Sequence, residues 1–63
     1  MTNEYSKILR ELRGSKTQQE IADAIGVSLS TYQKYEQGAR RPKDIIKIKI
    51  SEYYDTEISK IFY

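Results

Sequence analysis

The side chains that carry covalent or redox chemistry are largely missing from this chain. Its 63 residues include no histidine and no cysteine, which excludes thiol nucleophiles, imidazole bases, Cys/His zinc sites and disulfide frameworks. The nine acidic residues are scattered singly, so no carboxylate pair is spaced for general acid–base work. Neither a G-x-G-x-x-G nor a P-loop spacing occurs. The chain therefore reads as a non-enzyme that needs no cofactor and no metal. What remains is polar and cationic: Gln18 and Gln19 ahead of an apolar run, Ser30, Thr31, Gln33 and Lys34 within one short segment, and Arg40, Arg41 and Lys43 beyond it. Hydrogen bonding and anion recognition are the chemistry such groups support.

The net charge of +2 is uninformative as a total but not as a distribution. Residues 17–33 hold two acidic side chains and no basic one, whereas residues 34–49 hold six basic and two acidic. Residues 50–63 turn acidic again, with three against one. A basic patch thus begins at Lys34. Elsewhere such a patch is often a solvated face, so its meaning depends on the elements that hold it.

Glycines and caps mark those elements. Tyr5, Ile8, Leu9 and Leu12 recur at i, i+3, i+4 and i+7, which predicts an amphipathic helix over 3–13, capped by Thr2 or Asn3 and stopped by Gly14. Thr17-Gln18-Gln19-Glu20 is a capping box. Ile21, Ala22 and Ile25 follow as an apolar face, and Gly26 ends that helix after little more than two turns. Ser28 caps a third segment running to Gln37, with Tyr32 and Tyr35 on one face, Leu29, Ser30, Gln33 and Lys34 on the other, and Gly38 as terminator. Pro42 or Lys43 opens the next element. Ile46-Lys47-Ile48-Lys49-Ile50 alternates like a strand, yet Ile46, Ile50, Tyr53 and Tyr54 also fit a helical face. A lone strand would lack a partner, so helix is favoured. Asp55 or Thr56 caps a last short helix carrying Ile58, Ile61 and Phe62. The expectation is one all-α domain over residues 1–63.

Two short helices joined through a glycine turn are the geometry of a helix-turn-helix, here about residues 17–37. Ile21, Ile25, Val27, Tyr32 and Tyr35 supply its locking contacts, Ala22 the close crossing and Gly26 the sharp turn. The run from Thr17 to Gly38 resembles the phage-repressor (Cro/repressor-type, XRE) family. It follows the pattern T-Q-x-E-hydrophobic-A-x-x-hydrophobic-G-V-S and then Y-E-x-G, with Leu12-Arg13 before it and Arg41-Pro42 after it also matching. Two departures stand out: the short Gly14-Ser15-Lys16 link, and Ile48-Lys49-Ile50-Ser51 with Tyr53-Tyr54-Asp55 where Leu-Ala and L-G-V types are common.

The resemblance implies a compact five-helix bundle with a central helix-turn-helix, a lambda-repressor-like DNA-binding domain. It also implies a double-stranded DNA partner met in the major groove, commonly by a dimer. A recognition helix starting at Leu29 would present Leu29, Ser30, Thr31, Gln33 and Lys34 to base edges, Gln33 suiting adenine and Lys34 guanine. Leu29 has a competing place, closing the core under the turn. Gln18 and Gln19, at a helix N-terminus, with Arg40, Arg41 and Lys43 would meet phosphates. By resemblance, Gln18 also steadies the recognition helix. Arg13 and Glu36 match positions that form an ion pair, worth ~0–1 kcal/mol if exposed.

No apolar run approaches the roughly eighteen residues of a membrane span, and charges at Glu4, Lys7 and Arg10 interrupt any signal-peptide core. The expected setting is the cytoplasm, at the nucleoid. The reading is a transcriptional repressor acting as a homodimer on a palindromic operator. The alternatives keep the fold as an antitoxin or as a protein-interaction module. The chain ends at Tyr63, which leaves little room for the extra segment an antitoxin usually carries.

Overall fold

Local rules set the element boundaries. The Thr17 hydroxyl accepts the Glu20 amide at 3.1 Å, and Ser28 accepts the Thr31 amide at the same distance, so each short helix starts on a satisfied cap. Gly26 ends the first of them with φ at +76° and donates its amide back to the Asp23 carbonyl, a left-handed stop that suits glycine.

The computed structural model describes residues 4–62. In chain order it contains α1 (Glu4–Arg13), α2 (Gln18–Ile25), α3 (Leu29–Gln37), α4 (Asp44–Tyr53) and α5 (Ile58–Phe62), with no strand among the described residues. The expected all-α, five-helix architecture is what the chain adopts. Thr2 and Asn3, named above as candidate caps, lie outside the described residues, as does Tyr63.

Each helix is too short to stand alone, so tertiary burial has to hold the bundle. Leu9, Ile21, Ile25, Tyr32 and Ile50 are essentially sealed from solvent, and Tyr5, Ala22, Tyr35, Ile61 and Phe62 complete the core. Burying one such large side chain contributes about 1.5–3 kcal/mol before entropy is counted. Ile8, Leu12, Val27, Ile46, Tyr54 and Ile58 pack around that centre. α3 lies against both α1 and α2, while α5 closes the bundle on α1 and α4. The helix-turn-helix therefore sits on a floor made by the other three helices.

α4 resolves the strand-or-helix ambiguity in favour of helix, but with a rotated face. Ile50 is buried and Ile46 partly so, as the helical register predicts. Tyr53 instead stands at the rim, 38% exposed, with the Lys16 ammonium 4.9 Å from its ring centroid. Lys47 takes the inner position, its Nζ 3.7 Å from Asp44 and 5.6 Å from the Phe62 ring centroid. At 100° per residue Lys47 and Tyr53 lie roughly 60° to either side of Ile50, so helical register alone does not choose between them. The lysine stem can line the core while its charge reaches Asp44. Ile45 and Ile48 face outward. After α4, Asp55 adopts φ of +52°. The Thr56 hydroxyl donates to the Tyr54 carbonyl at 3.1 Å rather than capping α5, which begins two residues later.

Candidate nucleic-acid interface

α3 has two unlike faces. Tyr32 and Tyr35 are buried, their rings edge-to-face with centroids 6.3 Å apart, and Glu36 beside them is 3% exposed. Ser30 and Lys34 are exposed on the other side, and Leu29, Thr31 and Gln33 are half-buried. Leu29 is half-buried and is not among the residues packed against the hydrophobic core. The Thr31 hydroxyl accepts from Ser28 at 2.9 Å, which ties it to the cap. The motif-packing set, Ile21, Ala22, Ile25, Val27, Tyr32 and Tyr35, is brought together as the spacing predicts, with Val27 at its margin.

The anchor of α3 is Glu36. Arg13 grips its carboxylate twice, Nε to Oε2 at 2.6 Å and Nη2 to Oε1 at 3.2 Å, and also donates to the Lys16 carbonyl at 2.8 Å. Arg10 donates to the Glu36 carbonyl, so two arginines of α1 hold the last turn of α3. The ion pair expected from the resemblance is therefore present. It is also more buried than a surface pair, with the two side chains 23% and 3% exposed. Burial alone pushes the Glu36 carboxyl up; the donors from Arg13 and Gln18 outweigh it and hold the group below its ordinary range. The fully buried Tyr32 hydroxyl stands beside the same carboxylate without a partner at hydrogen-bond geometry, and burial first, then that neighbour, raises it far above the ordinary phenol value.

Gln18, at the start of α2, donates through Nε2 to Glu36 Oε1 at 3.0 Å. Its carbonyl Oε1 accepts from Gln33 Nε2 at 3.2 Å. A continuous chain thus runs from α1 through Arg13, Glu36 and Gln18 to Gln33 on the outer face of α3. Sequence reading missed the last link, because residues 15 apart carry no periodic signal. Gln19 is exposed and donates to Asp23 at 2.8 Å.

The basic loop after α3 is clamped from behind. The Tyr5 hydroxyl donates to the Arg40 carbonyl at 3.1 Å. Arg41 lies over the Tyr5 ring, 5.4 Å from its centroid, and donates to the Phe62 carbonyl at 3.2 Å. Arg40 and Lys43 are exposed, and Lys43 is the N-cap residue of α4 without a side-chain cap bond. Sequence reading treated Tyr5 as core alone; its hydroxyl also fixes the loop. Lys34, Arg40, Arg41 and Lys43 are the exposed cations of this end of α3 and its loop. Among the described residues, no three His, Cys, Asp or Glu side chains gather where they could hold a metal ion, and no helix is long and apolar enough to cross a membrane.

Comparison with known proteins adds the lineage. A helix-turn-helix family model matches residues 7–61. A protein of Vibrio cholerae named cryptic phage CTXphi transcriptional repressor RstR is 34% identical over 59 residues, covering 90% of this chain and 53% of that protein. A second protein of that name, from serotype O1, is 38% identical over 47 residues, covering 75% of this chain and 42% of its own length. The chain spans about half the length of the curated relatives it matches. No solved structure matches it at a comparable level. With the match spanning nearly its whole length, the chain belongs to the phage-repressor-type helix-turn-helix family.

Proposed function

We propose that this chain is the sequence-specific double-stranded DNA-binding part of a transcriptional repressor. The observation that carries the reading is the two-faced α3: Tyr32, Tyr35 and Glu36 are locked into the bundle, which leaves Leu29, Ser30, Thr31, Gln33 and Lys34 as a rigid outer row. A helix so held can enter a major groove without reordering, and its first turns meet base edges. Leu29 packs on a thymine methyl, Gln33 pairs with adenine and Lys34 reaches guanine acceptors. The amide end of α2 with Gln18 and Gln19, and the loop with Arg40, Arg41 and Lys43, meet phosphates on either side. Arg41 does so with the guanidinium donors not spent on the Phe62 carbonyl. The names of the two relatives support repression as the outcome.

The active species is a homodimer on a palindromic operator with half-sites about one helical turn, ~34 Å, apart, because a lone helix reads too few base pairs for specificity. Its setting is the cytoplasm, at the nucleoid. A second reading, a protein-interaction module on the same fold, rests on the outward Ile45 and Ile48 of α4, 62% and 48% exposed. Two isoleucines are an ordinary patch for a monomer, so they do not displace the DNA reading.

Titration of duplex DNA across salt concentrations tests the proposal. Affinity should fall linearly on logarithmic axes, with a slope near −0.9 for each phosphate neutralised. No binding to duplex, or binding without salt dependence, would contradict it.

A further inference from the structure

The hydrogen-bond chain ending at Gln33 has a direction, and that direction bears on which base is read. Arg13 can only donate, and an ionised Glu36 can only accept. Gln18 has one donating and one accepting end, and its Nε2 is on Glu36 Oε1 at 3.0 Å. Its carbonyl is then turned toward Gln33, which meets it with Nε2 at 3.2 Å. The reverse orientation of Gln18 would set a carbonyl oxygen against a carboxylate. Gln33 therefore ends the chain with its own carbonyl oxygen uncommitted and one amide hydrogen to spare.

We infer that Glu36, though buried and remote from any base edge, is a positioning residue that fixes the hydrogen-bond polarity of Gln33 and so restricts the base it reads to adenine. A carbonyl acceptor with an N–H beside it matches adenine, whose major-groove edge offers the N6 amino donor and the N7 acceptor. Guanine and thymine present only O6, N7 or O4 acceptors at that edge: the spare N–H of Gln33 can meet one of them, but its carbonyl oxygen finds no donor unless Gln33 turns over. Cytosine offers the N4 donor without an acceptor beside it, so adenine alone satisfies both groups. Turning it over would leave the two glutamine carbonyls facing each other. The inference rests on the proposed major-groove role of α3.

Glu36→Gln removes the constraint, because a neutral amide at 36 can donate to Gln18 and let the whole chain reverse. Gln18→Ala removes it differently: Gln33 loses its tether while the Arg13–Glu36 grip stays, and alanine is the best helix former at the first position of α2. The experiment is selection from random duplex DNA with the parent chain, Gln33→Ala, Glu36→Gln and Gln18→Ala, with circular dichroism to establish folding of each. Gln33→Ala identifies the operator position that Gln33 reads, by loss of preference there. The parent should favour adenine at that position by about tenfold or more over guanine or thymine. Glu36→Gln and Gln18→Ala should each narrow that ratio to within about threefold and leave other positions as they were. Folded variants that keep the full adenine preference would overturn the relay, as would guanine, thymine or cytosine at that position in the parent. If Glu36→Gln fails to fold, Gln18→Ala decides the matter. Absence of any enriched site in the parent would instead remove the DNA-binding reading itself, and the relay with it.

Discussion

Arg13 and Glu36 meet across 23 residues of chain, with Arg13 Nε 2.6 Å from Glu36 Oε2 and a second, parallel contact at 3.2 Å. This forked contact ties α1 to the last turn of α3, and it fixes the angle at which the outer face of α3 is offered.

Removing the guanidinium leaves a carboxylate that is 3% exposed with Gln18 as its remaining side-chain donor. Arg13→Ala should therefore cost about 1–3 kcal/mol, more than a surface pair and less than a fully buried one, since Arg13 itself is partly solvated. Urea unfolding measures it. A loss below about 0.5 kcal/mol, the range of an ordinary surface substitution, would show the pair to be ornamental to stability.

Acid should loosen the same anchor. The folded Glu36 carboxyl titrates below its ordinary value of 4.5. Between those two values the unfolded chain binds the extra proton, so stability rises with pH there. The contribution is complete above about pH 4.5 and disappears as pH falls through the folded value. Unfolding free energies from pH 7 down to 3 should fall more steeply in the parent than in Glu36→Gln. Parallel curves would mean that other carboxyls carry the acid sensitivity.

Gly26 tests the turn between α2 and α3. Its φ is +76°, and a Cβ placed there would meet nothing nearer than the Lys49 ammonium at 3.8 Å. The cost of substitution is thus conformational rather than steric. Gly26→Val should destabilise by about 2–3 kcal/mol, whereas Gly26→Asn, which tolerates the left-handed region, should cost clearly less. Thermal unfolding of both gives the comparison. Equal losses would point to packing instead of backbone strain.

The basic loop should act on every DNA sequence alike. Arg40→Ala, Arg41→Ala and Lys43→Ala are each expected to weaken binding uniformly and lower the salt slope by about one charge. Arg41→Ala should in addition lower thermal stability, because its guanidinium lies over Tyr5 and bonds the Phe62 carbonyl. An unchanged slope for any one of them would take it off the phosphate-contacting set.

The sequence made the helix-turn-helix legible because short-range signals set it. Thr17, Ser28, Gly26 and Gly38 act within a few residues of themselves, and Tyr32 with Tyr35 declares the inner face by spacing. α4 was less readable: its run of isoleucines satisfies two periods at once, and only the closed bundle shows Lys47 turned inward beside Phe62 and Tyr53 at the rim beside Lys16. The Gln18–Gln33 contact and the seat of Arg41 on Tyr5 join residues far apart in the chain. No local pattern encodes such contacts; they exist only once the bundle has closed.

The central claim is that the outer face of α3 reads duplex DNA, and binding-site selection from random duplexes tests it most directly. The parent chain should enrich a palindromic site with half-sites about one helical turn apart, and Lys34→Ala should lose roughly 1–3 kcal/mol with relaxed preference at one base position per half-site. No enrichment by the parent, or a Lys34→Ala loss spread equally over all sequences, would contradict it.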